Sequence, residues 1–115
     1  MGTMRTPETE ARYTREKQSG RLAERVLCKS PSLKEFKEWR IIENRFPYDL
    51  VAEVHHMLVP KRHASDAELT ASEQEEFEAI KEAYVQEVYE FMIEPARKKR
   101  SIPDHSHLHL LIAKA

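Results

Sequence analysis

The sequence predicts an α+β fold, an antiparallel β-sheet packed against one long helix, with an additional helical segment at the N-terminus. Three observations predict it. Residues 38–46 and 51–59 alternate side chains with the period of a strand, and only a short connection separates them. From Thr70 onward, apolar residues recur at spacings of three and four. Near the C-terminus, His105, His107 and His109 occupy every second position.

Residues 1–29 read as a helical or partly disordered extension, and residues 30–115 as the main domain. Ala11, Leu22, Ala23, Val26 and Leu27 give the extension a thin apolar stripe, which Gly20 interrupts. Met1-Gly2-Thr3 reads as a leader ahead of a natural start at Met4, in preference to a myristoylation signal. Ser30-Pro31-Ser32 is a turn. In residues 38–46, Trp39 and Ile41 point one way, and Ile42, Asn44 and Phe46 the other. Pro47-Tyr48-Asp49 then turns the chain. In residues 51–59, His55, Met57 and Val59 share a face opposite Val54, His56 and Leu58, and Pro60 ends the strand.

Thr70 is a natural N-cap, and Glu73 three residues on completes a capping box. Phe77, Ile80, Tyr84, Val88 and Phe91 form the apolar stripe of the long helix, which Pro95 ends. Glu73, Glu75, Glu76 and Glu78 near its start and Arg97, Lys98, Lys99 and Arg100 at or past its end suit the helix dipole. The last strand is expected over residues 105–113, with His105, His107 and His109 on one face and Ser106, Leu108 and Leu110 on the other.

The composition narrows the function classes. The 115-residue chain has a formal net charge of −1, so its overall charge points neither to nucleic acid nor to a membrane surface. Cys28 is the single cysteine, so the chain has no internal disulfide and no Cys-x-x-Cys metal motif. No apolar run approaches the ~20 residues of a membrane span, and no signal peptide is visible. A cytoplasmic location fits these features.

Three imidazoles on one face suit two chemistries. One is metal binding, with a strand's i and i+2 histidines sharing an ion and a further ligand from His109, His55 or His56. The other is nucleophilic attack on phosphorus, with flanking histidines fixing the nucleophile's tautomer and stabilising developing charge.

The run His105-Ser106-His107-Leu108-His109-Leu110-Leu111 resembles the His-x-His-x-His-x-x signature of the histidine triad (HIT) superfamily. The stretch His55-His56-Met57-Leu58-Val59-Pro60-Lys61-Arg62-His63 resembles that family's upstream strand, and Asn44-Arg45-Phe46-Pro47 its ribose-contact segment. The resemblance covers residues 39–111 and makes residues 30–115 a HIT-like domain. It implies a nucleotide hydrolase or nucleotidyl transferase acting at the α-phosphorus of a nucleoside monophosphate ester, phosphoramidate or dinucleoside polyphosphate. His107 would be the nucleophile, forming a nucleotidyl-histidine intermediate. His109 would contact the phosphate and assist the leaving group. His105 would link to His55 and orient the cluster. Asn44 and Ser101 would bind substrate. No metal or other cofactor is implied, and the expected partners are a nucleotide and a second copy of the chain in a homodimer. Ser106 departs from the family's apolar preference, and Ser101-Ile102-Pro103-Asp104 replaces its usual glycine-containing approach to the triad.

Overall fold

Alternation in the first long strand sends Trp39 and Ile41 to one face of the sheet and Ile42 to the other, and all three are buried. The computed structural model describes residues 3–20, 26–96 and 105–115. Among these, five strands form one sheet: β1 (Lys34–Glu35), β2 (Trp39–Glu43), β3 (Ala52–Pro60), β4 (Phe91–Ile93) and β5 (Leu108–Ala113). The spatial order is β1-β2-β3-β5-β4, and every neighbouring pair is antiparallel. The fold is therefore α+β with an antiparallel sheet.

One face packs against helices. Trp39, Ile41, Leu58, Leu108 and Leu110 meet Ile80 and Val85 there, with Phe77 and Tyr84 at the margin. The Trp39 indole N–H donates to the Glu73 carbonyl at 2.8 Å, which satisfies its polar atom inside the core. On the opposite face Ile42, Met57 and Val59 pack with Leu27. That face also carries His55 and His109.

The helices are α1 (Pro7–Gln18), α2 (Val26–Lys29), α3 (Ala71–Ile80) and α4 (Gln86–Val88), with a wider π turn over Lys81–Val85 joining α3 to α4. The Thr70 hydroxyl accepts from the Glu73 N–H at 3.1 Å, and the Glu73 carboxylate accepts from the Thr70 N–H at 2.8 Å. The expected capping box is thus formed. Arg62 donates to the same carboxylate at 2.8 Å. Thr70→Ala removes one bond of the box and is expected to lower the unfolding free energy by about 1 kcal/mol, read from urea denaturation.

Several elements differ from expectation. The helix stops at Val88, and Tyr89 turns to φ −115°, ψ 161°. Val88 and Phe91, expected on the buried stripe, are exposed. The reason is an open edge on β5: the Glu90 N–H donates to the Leu111 carbonyl at 3.0 Å, and residues 91–93 continue that ladder. At its start β5 is shorter than expected. His105 and His107 lie ahead of the ladder, because pairing with β3 begins at Leu58↔Leu108 and the chain beyond meets Pro60, which has no N–H to offer. β2 stops at Glu43 because the Asn44 side chain accepts the Phe46 N–H at 2.8 Å and turns the chain. Two residues after the Ser30-Pro31-Ser32 turn form β1, an element not expected from the sequence.

The extension contains α1 and α2, but α1 is not held by an apolar stripe. Ala11 is exposed and Thr9 is the buried residue of the helix. Asp49 instead accepts from the Thr6 N–H at 2.8 Å, the Thr6 hydroxyl at 3.1 Å and the Thr9 hydroxyl at 2.5 Å. Those bonds hold the Asp49 carboxyl below the usual carboxylate range, against the opposing effect of burial. Gly20 has φ +80° just past the end of α1. Leu22 and Ala23 of the expected stripe, the basic run at 97–100 and the approach at 101–104 lie outside the described residues. Among the described residues, no helix is long and apolar enough to cross a membrane.

Candidate active site

The register Met57↔His109 and His55↔Leu111 brings β3 and β5 together with His55 and His109 on one face. His55, His105, His107 and His109 are all buried. His55 and His109 meet directly, Nε2 to Nδ1, at 2.7 Å. His105 was expected to be the partner of His55. It is not: it lies past the end of the ladder, beside Pro60, whereas antiparallel pairing sets His55 next to His109.

Three bonds fix the protons in this cluster. The Tyr48 N–H donates to His55 Nδ1 at 2.9 Å, so that nitrogen bears the lone pair. A neutral His55 then carries its proton on Nε2 and donates it to His109 Nδ1. His109 in turn holds its own proton on Nε2. Asn44 Nδ2 lies 3.3 Å from His55 Nε2. Both groups are donors, so this is a packing contact, and the Asn44 oxygen is already used by Phe46. Separately, His107 Nδ1 donates to the His105 carbonyl at 2.9 Å, which leaves the His107 lone pair on Nε2.

Burial keeps His55 neutral. It pushes the imidazole pKa down to about 4, helped by the positive charges of Arg5 and His56. Tyr48 completes the enclosure, its ring stacked on His109 at 5.2 Å and tilted against His55 at 4.4 Å. Arg5 lies over the same tyrosine, 5.0 Å from the ring centroid, and donates from Nε to the Phe46 carbonyl at 2.8 Å. The His107 ring stands edge-on to His109 at 5.3 Å.

His105 faces a different set of groups. Its Nε2–H donates to the Pro60 carbonyl at 3.2 Å. Its Nδ1 lies 3.2 Å from His63 Nδ1 and 3.4 Å from Cys28 Sγ. Burial is the main cause that lowers its pKa.

Of the residues expected at the site, the structure gathers His55, His107, His109 and Asn44, and ties His105 to them through its carbonyl. Ser101 lies outside the described residues. Tyr48 and Arg5 were not singled out from the sequence. Tyr48 acts through a backbone N–H and a stacked ring, which no side-chain motif announces. Arg5 arrives from a helical extension 41 residues away from its Phe46 partner. On the helix side, a cavity of about 270 Å³ touches Ser106 and His107 and is lined by Asp66, Glu78, Glu94 and Phe77. Its carboxylates oppose a phosphate there. Compared with protein-family models and with curated proteins, the chain matches none.

Proposed function

We propose that this chain is a HIT-like nucleotide hydrolase or nucleotidyl transferase working through His107. The observation that carries the proposal is the 2.9 Å bond from His107 Nδ1 to the His105 carbonyl. It presents an imidazole lone pair on Nε2, the form needed to attack phosphorus. The His107 Nε2–P bond forms as the bond from the α-phosphorus to the leaving group breaks. The leaving group takes its proton from solvent, while the His109 Nε2–H, which the His55 relay has set on that nitrogen, hydrogen-bonds to the departing atom. Water then cleaves the nucleotidyl-histidine, releases the nucleoside monophosphate and restores the free imidazole. His55 and His105 are positioning residues in this scheme, and Asn44 orients the loop beside His55.

The test is incubation with adenosine 5′-phosphoramidate in the presence of a chelator. AMP release is expected, and quenching early in the reaction into alkaline denaturant, where the acid-labile P–N bond survives, is expected to trap an adenylylated chain whose label maps to His107. Absence of AMP release from phosphoramidate, adenylate ester and dinucleoside polyphosphate alike would overturn the assignment. The proposal extends to a homodimer, which light scattering of the full chain checks.

A further inference from the structure

We propose that Arg12 and Arg45, gathered on the Phe46 ring, form a subsite for a polyphosphate chain attached to the α-phosphorus. The subsite deepens the reading of His107 as the nucleophile and rests on it for the direction in which the substrate leaves the histidines. It is built on aromatic rings. Phe46 is buried and meets the Tyr13 ring edge-on at 5.7 Å, which ties the turn after β2 to α1. The Arg12 guanidinium lies 5.5 Å from the Phe46 centroid, and that of Arg45 lies 5.4 Å from it. One arginine comes from α1 and the other from the turn, so the tertiary fold makes them converge. Both are exposed, and among the described residues neither pairs with a carboxylate. Two like charges are thus held at one ring with no acid between them, an arrangement that attracts an anion. A guanidinium drawn to a ring can still direct its in-plane N–H groups at phosphate oxygens.

Arg5 links this pair to the histidines. Its Nε donates to the Phe46 carbonyl at 2.8 Å, its guanidinium lies 5.0 Å from the Tyr48 centroid, and the Tyr48 ring stacks on His109 at 5.2 Å. The leaving group departs beside His109, so a chain of phosphates that follows Tyr48 runs toward the two arginines. Arg5 itself pairs with Glu10 at 3.5 Å, so the uncompensated charge belongs to the outer pair. A triphosphate leaving group gains from that charge, whereas a neutral amine does not. The extension also carries Glu8, Glu10 and Glu16, and the whole chain has a formal net charge of −1. The arginine pair is therefore a local anion site and not part of a broad basic face, which favours a short polyphosphate over a polynucleotide.

With a dinucleoside tetraphosphate, His107 Nε2 attacks the α-phosphorus. The bond from that phosphorus to the bridging oxygen breaks, its electron pair stays on the oxygen, and a nucleoside triphosphate departs toward Arg12 and Arg45. Water then releases the nucleoside monophosphate from His107.

The first measurement is calorimetric titration of the full chain with inorganic tripolyphosphate at low and at moderate salt. One equivalent is expected to bind, more weakly as salt rises, a readout that stands even if a variant fails to fold. The double variant Arg12→Gln, Arg45→Gln is expected to bind at least ~10-fold more weakly, and Arg12→Lys, Arg45→Lys to recover most of that loss. The second measurement compares substrates. The ratio of kcat/KM for diadenosine tetraphosphate to that for adenosine 5′-phosphoramidate is expected to fall at least ~10-fold in the Gln variant, through KM. No binding, binding indifferent to salt, binding unaltered in the Gln variant, or an unaltered substrate ratio would each overturn the proposal. So would tighter binding of a single-stranded oligonucleotide than of tripolyphosphate, which would assign the surface to nucleic acid. Salt-sensitive binding that the Gln variant loses, in a chain inactive on every nucleotide, would uphold the subsite and remove only the proposed activity.

Discussion

AMP release from adenosine 5′-phosphoramidate is expected to fall at least ~1000-fold in His107→Ala, because the variant loses the attacking lone pair. The sharper variant is His107→Asn. Its amide nitrogen can still donate to the His105 carbonyl, so the local chain keeps its bond while the nucleophile is gone. Both variants are expected to retain the wild-type circular dichroism spectrum and to lose kcat. His109→Gln is expected to lose less with phosphoramidates than with esters, because a basic amine leaving group picks up its proton from solvent more readily. Rates within tenfold of wild type in His107→Asn would move the chemistry to another residue.

The second large effect is on stability. The unfolding free energy is expected to drop by about 3 kcal/mol as pH is lowered from neutrality to about 4, from His55 alone. In the unfolded chain this imidazole takes a proton below its ordinary pKa of 6.5, whereas burial holds the folded value down to about 4. Between those values the unfolded chain binds more protons, so stability rises with pH across this window and falls on acidification. Below it the contribution is flat. The groups facing His55 are Tyr48 and Arg5 from the N-terminal side, Asn44 and His56 near it on the sheet, and His109 from β5. Arg5 is positive throughout, so it works against protonation of His55 in the folded state and widens the window. Urea denaturation at pH 7, 6, 5 and 4 checks this. His55→Gln is expected to flatten the slope over that interval, at the cost of a lower plateau near neutrality. An unchanged slope in that variant would assign the acid sensitivity elsewhere.

Much of the sheet was legible because alternation is a two-sided statement. Trp39 and Ile41 against Ile42, or Leu58 against Met57 and Val59, can satisfy two packed layers in only one register. The capping box at Thr70 and Glu73 was legible for a similar reason, since both partners lie within one turn. The far end of the helix was not. Val88 and Phe91 fit a helical stripe by spacing, yet the hydrogen-bonding edge of β5, distant in sequence, recruits residues 91–93 into a strand. The triad itself could be read, but not its wiring. Whether His55 meets His105 or His109 depends on the β3–β5 register and on where that ladder starts. The grouping of Cys28 with His63 and His105 was hidden for the same reason: it spans 77 residues and forms no local spacing.

The attachment of α1 has a dynamic consequence. The buried Thr9, three bonds to Asp49 and the Tyr13 ring edge-on to Phe46 fasten one side of α1, whose other residues are mostly exposed, so α1 belongs to the low-stability end of the molecule. The residue next to its anchor is Tyr48, whose amide fixes the His55 tautomer and whose ring covers His109. Sub-global opening of the N-terminus would therefore loosen the Tyr48 amide along with the helix. Slow hydrogen exchange at that single amide would measure how often the relay is assembled.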